Sequence, residues 1–214
     1  YAIIGGGKGN CVSSGCSTIG GGLNNLATGI GQATIGGGLN NIACGLFTPT
    51  VAGGSSNIAG NTFTFVGGGT KNKAMGSRST VAGGDCNVAS SGCSTIAGGE
   101  GLSASGNHST VTGGLSSKAQ GTEAFVGGGN SNDSRGNASV IGGGRQNEAI
   151  SDFSIIAGGL QNFTLSSYSA VLGGFSNIAS GSGAFVGAGV FNKASGKVNT
   201  IAGGTKNLTS GEYS

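Results

Sequence analysis

The sequence has no tryptophan, one proline, one histidine and one methionine, and it contains few charged side chains. Charged residues make up 8% of the chain, against roughly 25% in an ordinary soluble domain. The scarcity of proline excludes a collagen-like triple helix, which also needs glycine at every third residue. The shortage of large apolar side chains argues against the core of an ordinary globular enzyme. No apolar run approaches the roughly 18 residues of a membrane span.

Glycine is in excess, at 50 of 214 residues, against about 7% in average proteins. The excess belongs to an internal repeat that runs through the whole sequence. Each repeat has one valine or isoleucine as an anchor. The steps between successive anchors are fifteen, sixteen and sixteen positions, and then fifteen throughout. The anchors are Ile4, Ile19, Ile35, Val51, Val66, Val81, Ile96, Val111, Val126, Ile141, Ile156, Val171, Val186 and Ile201.

Further columns keep a fixed distance from the anchor. Gly-Gly comes two and three residues after it in 13 of 14 repeats, and the exception has Ala188 before Gly189. Alanine comes eight residues after it in ten repeats. Asparagine comes six residues after it in 12 repeats, and Leu102 and Ser117 replace it in the other two. The asparagines are Asn10, Asn25, Asn41, Asn57, Asn72, Asn87, Asn132, Asn147, Asn162, Asn177, Asn192 and Asn207.

So short a period predicts an all-β fold. Helical repeats need about 33 residues or more, and each glycine inside a helix costs about 1 kcal/mol. β-branched anchors favour strands. We therefore predict a parallel β-solenoid, a β-roll of about 14 coils, with residues 1–214 as one continuous array. Because the pattern stops in mid-repeat at both ends, and bare ends are open sheet edges, the repeat also predicts that the array continues, covalently or by end-to-end stacking.

Side-chain alternation assigns the columns to faces of the coil. The anchors from Ile19 to Ile201 are predicted to fill a narrow interior against the alanine column. The asparagines from Asn25 to Asn207 have two readings: a ladder of side-chain amides that bond neighbouring coils, or residues that tolerate a left-handed turn.

The column one residue before the anchor is predicted to point outward, yet it contains Phe65, Phe125 and Phe185. An apolar stripe on a protein surface commonly marks an interface. These three residues are therefore candidates for a subunit contact in a parallel homo-oligomer. The alternative is a wider coil whose interior they fill.

The run from Ala89 to Gly99, Ala-Ser-Ser-Gly-Cys-Ser-Thr-Ile-Ala-Gly-Gly, resembles the head repeats of trimeric autotransporter adhesins of the YadA type. Related repeats occur in tail-fibre-like and other surface fibre proteins. The resemblance extends over all 14 repeats. It implies a left-handed parallel β-roll, a homotrimer and a role in adhesion.

The five cysteines carry a prediction about location. Cys11 and Cys16 flank one Ser-Gly turn, and Cys86 and Cys93 flank another. This coincidence favours two local disulfides, which would indicate an oxidising, extracellular setting. The alternative is small thiols in a reduced chain. Cys44 is left over, as a free thiol or a partner in an interchain bond.

Other chemistry is weakly represented. The single histidine, His108, has no predicted partners for a catalytic triad, and acidic residues do not recur in one column as they do in calcium-binding repeats. We therefore predict no catalytic residue, no metal and no cofactor. The ten lysines and arginines are dispersed, so no nucleic-acid partner is expected. Asn107 and Asn137 are candidate glycosylation sites.

These observations predict a non-enzymatic, extracellular fibre protein, structural or adhesive, on a cell or virion surface. Its expected partner is itself, with a host-surface or glycan ligand as a further candidate. One alternative is a receptor- or glycan-binding segment of a viral or phage fibre. A second is an ice-binding solenoid, because threonine recurs one residue before the anchor, although Phe65 and Phe125 interrupt that array.

Overall fold

The computed structural model describes residues 1–213 and has no helix among them. It contains 28 parallel strands, each two residues long, with two strands in every coil. Equivalent positions in successive coils are fifteen residues apart, or sixteen at two places near the start of the chain. The predicted all-β solenoid of about 14 coils is thereby confirmed. The chain divides into two compact units, Tyr1–His108 and Ser109–Ser214, with seven coils in each.

In the first unit, anchor strands form sheet 1 and strands with the alanine column form sheet 2, each with neighbouring strands in parallel register. Sheet 1 is β1 (Ile3–Ile4), β3 (Thr18–Ile19), β5 (Thr34–Ile35), β7 (Thr50–Val51), β9 (Phe65–Val66), β11 (Thr80–Val81) and β13 (Thr95–Ile96). Sheet 2 is β2 (Cys11–Val12), β4 (Leu26–Ala27), β6 (Ile42–Ala43), β8 (Ile58–Ala59), β10 (Lys73–Ala74), β12 (Val88–Ala89) and β14 (Ser103–Ala104).

The second unit has the same arrangement. Its sheet 1 is β15 (Thr110–Val111), β17 (Phe125–Val126), β19 (Val140–Ile141), β21 (Ile155–Ile156), β23 (Ala170–Val171), β25 (Phe185–Val186) and β27 (Thr200–Ile201). Its sheet 2 is β16 (Lys118–Ala119), β18 (Asp133–Ser134), β20 (Glu148–Ala149), β22 (Phe163–Thr164), β24 (Ile178–Ala179), β26 (Lys193–Ala194) and β28 (Leu208–Thr209).

The coil interior is narrow and closed. The 13 anchors from Ile19 to Ile201 are fully buried except for Ile201, which is 5% exposed. At two places where a hydroxyl replaces an interior alanine, it finds a partner inside the coil: the Ser134 and Ser139 oxygens are 2.6 Å apart, and Thr164 donates to Ser154 at 3.1 Å. Such pairing removes the cost of an unsatisfied buried hydroxyl. Thr209, near the end of the chain, has no such partner among residues 1–213.

In most repeats, only the second glycine of the Gly-Gly pair is required by the backbone; at Gly6, Gly68 and Gly128 the first glycine also has a positive φ. Gly54 has a φ of +88°, and a Cβ there would lie 2.2 Å from the carbonyl oxygen of Gly69 in the next coil. A Cβ on the first glycine, Gly53, would meet nothing within 4 Å. This difference explains why the exceptional repeat has Ala188 in the first place and keeps Gly189, at φ +104°, in the second.

The asparagine column connects the coils, but not mainly through amide-to-amide bonds. In the second unit, buried Asn147 accepts a hydrogen bond from the backbone N–H of Asn162 at 3.0 Å. Its Nδ2 donates to the carbonyls of Gly143 and of Gly159, in the next coil, each at 3.0 Å. The ladder therefore runs mainly through main-chain groups, and it provides the buried Asn162 N–H with its acceptor.

The alternative interpretation, that the column tolerates a left-handed turn, applies to the neighbouring position and not to the asparagine itself. The residue immediately before the ladder asparagine has the left-handed conformation, as at Lys71 (φ 54°), Gln146 (φ 55°) and Lys206 (φ 56°). Over residues 1–213, the ladder asparagines themselves are absent from the left-handed set. Asparagine is therefore selected at this column for its amide and not for its backbone tolerance.

Candidate functional site

Each coil turns through two corners at which a residue has the left-handed backbone conformation. The first corner lies five residues after the anchor, and the second lies twelve after it in the shorter, fifteen-residue coils. Non-glycine residues seldom adopt this conformation, yet here they do so in almost every coil. The non-glycine second-corner residues of the shorter coils are Cys16, Phe63, Arg78, Cys93, His108, Glu123, Ala138, Phe153, Tyr168, Val198 and Tyr213.

A backbone hydrogen bond between coils maintains most of the second corners. The N–H of Arg78 donates to the carbonyl of Thr62 in the preceding coil at 2.8 Å, and that of Phe153 donates to Asn137 at 2.9 Å. The bond involves no side chain, and most second-corner side chains are exposed. The corner thus presents one outward residue per coil whatever its chemistry, and His108 is simply one of these exposed residues.

Aromatic rings at the second corner stack between coils. Phe47 and Phe63 have ring centroids 6.2 Å apart with an interplanar angle of 18°. In the second unit, Phe153 and Tyr168 have centroids 5.2 Å apart and planes 4° apart. Both pairs are exposed to solvent. These large apolar rings therefore do not contribute to the buried interior of the coil.

A groove of about 400 Å³ lies at this corner in the first unit. It coincides with the two longer coils, which begin at the anchors Ile19 and Ile35 and each contain one additional residue. The lining residues are Gly15, Cys16, Ile30, Gly31, Gln32, Phe47, Thr48 and Phe63. Sequence reasoning did not identify this groove, although the two longer steps between anchors were its visible signal.

Two glycines, Gly15 and Gly31, are part of the groove lining. A Cβ on Gly31 would lie 2.5 Å from the carbonyl oxygen of Leu46, so the backbones of these two coils meet directly there. Ser17 donates to the Gly31 carbonyl at 3.2 Å and accepts from the Ala33 N–H at 3.0 Å. Hydrogen bonds therefore hold the main chain at Gly31, and side chains of neighbouring coils complete the lining.

The outer file, defined as the column one residue before the anchor, differs between the two units. In the second unit it is apolar over five neighbouring strands, where residues pair directly in the parallel register. These residues are Phe125, Val140, Ile155, Ala170 and Phe185. In the first unit the file is mostly threonine, with Thr18, Thr34 and Thr50 on three neighbouring coils before Phe65.

The three phenylalanines of the outer file point away from the coil interior. Phe65 is 40% exposed, and Phe125 and Phe185 are half-buried, whereas the anchor that follows each of them is fully buried. The alternative that these rings fill a wider coil is therefore wrong. The interior holds a β-branched side chain facing an alanine or, at Ser134 and Thr164, a small hydroxyl residue.

The structure contains neither of the predicted disulfides: Cys11, Cys16, Cys86, Cys93 and Cys44 are free thiols in it. Cys86 is at the first corner of its coil and Cys93 at the second, with β12 between them. Cys11, by contrast, lies on strand β2, so the two pairs do not occupy matching places. Counting residues around the turns hid this difference, because both pairs flank a Ser-Gly step.

Two thiols have raised pKa values. Cys86 donates from its thiol to the Asp85 carboxylate, with sulfur and oxygen 3.4 Å apart, and this bond raises the thiol pKa above its ordinary value. Partial burial raises the pKa of the Cys44 thiol. Neither environment has the depressed pKa that marks a reactive cysteine.

The remaining polar candidates are two asparagines and one pair of charged residues. Asn107 and Asn137 are both exposed, and Asn137 Oδ1 accepts from the Thr122 N–H at 3.1 Å. On sheet 2 of the second unit, Asp133 accepts from Arg135 at 2.7 Å and from Gln120 at 2.8 Å. The bond to Asp133 raises the pKa of the Arg135 guanidinium further above its ordinary value.

Within residues 1–213, no cluster of three or more histidine, cysteine, aspartate or glutamate side chains could hold a metal ion. The same residues include no helix with the length and apolarity to cross a membrane. A scan against protein-family models found no match for the chain, and a search of the curated proteins found none either. The likeness to adhesin head repeats therefore stays a prediction from the repeat.

Proposed function

We propose that the chain is a non-enzymatic segment of an extracellular fibre that self-associates and acts in adhesion. The observation that carries the proposal is the continuous apolar outer file of the second unit. Five outward residues on five adjacent strands, from Phe125 to Phe185, form an apolar strip that water reaches. Ile155 is the most exposed of them, at 45%. Burying such a strip is worth roughly 25 cal/mol per Å² of apolar surface.

The covering partner that fits best is a second copy of the same strip. The outer file has one residue per coil. The strip of a second, parallel copy therefore has the same spacing and can contact the first strip along its whole length. Parallel copies around a common axis are also what the adhesin resemblance implies, with three chains as the expected number. A cell-surface or virion location follows from that resemblance and supplies the setting in which repeated surfaces gain avidity.

The test is the native mass of the protein and its dependence on the file. Sedimentation equilibrium of residues 1–214 is expected to give three times the chain mass. The double variant Phe125→Asp, Ile155→Asp introduces charges into the strip and is expected to give single chains. Ile178→Asp, on the outer face of sheet 2 in the same unit, serves as the matched control and should leave the assembly unchanged.

Two outcomes would contradict the proposal. One is a wild-type chain that sediments as a monomer at all concentrations. The other is a double variant that assembles as the wild type does. An adhesion assay with immobilised protein and cultured cells then tests the second half of the proposal, because assembly without cell binding would leave only a structural role.

A further inference from the structure

We propose that the groove at the second corner of the first unit binds the apolar face of an uncharged pyranose sugar. The proposal deepens the adhesive function above, and rests on it, by naming a ligand class and its site. The repeat itself gives the first reason. The steps between anchors could all have one length, yet the only two longer coils in the repeat both lie at this groove. Departures from a regular pattern concentrate at functional sites.

Exposure of the apolar side chains in these coils is the second reason. Ile30 is 80% exposed and Phe47 is 55% exposed, while Phe63 in the next coil is 51% exposed. None of these side chains contributes to the interior, where Ile35 and Val51 are fully buried. A mostly apolar lining with a few polar groups is the usual composition of a small-molecule site.

The lining defines the charge and shape of the ligand. No charged side chain lines the groove, so an uncharged ligand is favoured. Its volume of about 400 Å³ is near the lower end of the range of roughly 300–1,000 Å³ for small-molecule sites. Because the walls stay half exposed, the groove covers one face of a ligand and leaves the other face in water. The ligand must therefore have one apolar and one polar face.

A pyranose ring meets these requirements. Its axial C–H groups form an apolar face, and the electron-rich faces of aromatic rings attract such polarised hydrogens. Phe47 and Phe63 offer ring surface at this place, and the N–H of Phe63 donates to the Phe47 carbonyl at 2.8 Å, which fixes their spacing. The exposed Gln32 amide and Thr48 hydroxyl lie at the same groove and match the hydroxyl rim of a sugar.

The second unit contains a natural control. Phe153 and Tyr168 also stack at the second corner, but they belong to the shorter coils and are not part of the groove. If exposed rings alone held the ligand, this pair would bind equally well. Binding in the first unit but not in the second would show that the ligand needs the complete groove lining and not the stacked rings alone.

The experiment is saturation-transfer difference NMR on residues 1–214 with methyl β-glucopyranoside, methyl α-mannopyranoside, methyl β-galactopyranoside and N-acetylglucosamine, each titrated to about 10 mM, since open sites bind with Kd in the millimolar range. At least one sugar is expected to saturate, with transfer strongest at its ring C–H protons. Phe47→Leu keeps the apolar volume but removes the ring, and should weaken binding about tenfold. Phe153→Leu should leave the affinity unchanged.

Several results would overturn the proposal: no saturable transfer to any of the four sugars, a Phe47→Leu variant that binds as the wild type does, or equal loss in Phe153→Leu. Saturable binding of 1-hexanol without binding of any sugar would also overturn it, in favour of an apolar ligand. If Phe47→Leu does not fold, Gln32→Ala removes the exposed rim amide and should weaken binding about threefold. Sedimentation of each variant separates loss of sugar binding from loss of assembly.

Discussion

Replacement of Asn147 by alanine is expected to lower the free energy of unfolding by about 3–5 kcal/mol. The variant loses three hydrogen bonds of 3.0 Å, to the N–H of Asn162 and to the carbonyls of Gly143 and Gly159. The Gly159 carbonyl keeps its bond from the Arg145 N–H at 2.9 Å. The buried N–H of Asn162 and the Gly143 carbonyl lose the partners described here, and each unsatisfied buried group costs about 1–3 kcal/mol.

The chain itself provides a graded comparison. At Ser117, which replaces the ladder asparagine, the hydroxyl oxygen accepts from the Asn132 N–H at 3.2 Å. Asn147→Ser therefore keeps one acceptor and should cost about half as much as Asn147→Ala. Gln146→Ala, one residue earlier at an exposed corner, should stay within about 0.5 kcal/mol of the wild type. Ala138 already shows that a corner accepts alanine, at φ 50°.

Guanidinium denaturation combined with hydrogen exchange provides the assay. The midpoint reports the stability change, and the exchange rate of the Asn162 amide reports whether that N–H has lost its acceptor. The reasoning would be refuted by an Asn147→Ala variant within about 1 kcal/mol of the wild type in which the Asn162 amide stays as protected as before. The same conclusion would follow if Gln146→Ala were equally damaging.

Further outcomes are expected at other sites. Gly144→Ala should lower the unfolding midpoint strongly, because its Cβ would lie 2.2 Å from the Gly159 oxygen at φ +87°, whereas Gly143→Ala, with nothing within 4 Å, should be nearly neutral by the same measurement. Alkylation of native protein without reductant should label all five cysteines by mass spectrometry, and a pair that stays unlabelled would contradict the free thiols. Asp85→Asn should lower the raised pKa of the Cys86 thiol, so Cys86 should be alkylated faster at pH 8 than in the wild type. The alkylation rate of Cys44 should not change. An unaltered rate at Cys86 would show that the Asp85 carboxylate does not control the pKa of this thiol. Thermal hysteresis should be absent, because Phe65 follows Thr50 in the threonine file of the first unit, and measurable ice-growth inhibition would revive the ice-binding alternative.

The sequence predicted the coil well because its interior obeys a strict period. Valine or isoleucine facing alanine repeats at fixed spacing, and the burial of Ile19 or Val126 depends only on that alternation. The sequence showed the Gly-Gly column but not which glycine the backbone requires. The structure distinguishes them, because a Cβ on Gly54 would collide with the next coil and a Cβ on Gly53 would not.

The corners and the groove were beyond sequence reasoning for a physical reason. A left-handed corner maintained by main-chain hydrogen bonds has no composition of its own, so Phe63, Arg78 and Cys93 give no common signal. The predicted disulfides, which the structure does not contain, depended on residue spacing, and spacing does not reveal that Cys86 and Cys93 occupy different corners. The groove depends on how two longer coils meet Phe63 in a third.

The second corner has a consequence for how the protein can change over time. One position per coil accepts a thiol, an aromatic ring, a guanidinium, an imidazole or a carboxylate in the same backbone conformation. Within each unit, neighbouring coils are separated by roughly 4.8 Å, so successive shorter coils place these positions at regular intervals with nearly independent chemistry. Mutation can therefore change the side chains at these positions without disturbing the interior. New surface specificities could arise on this scaffold, by evolution or by design, one coil at a time.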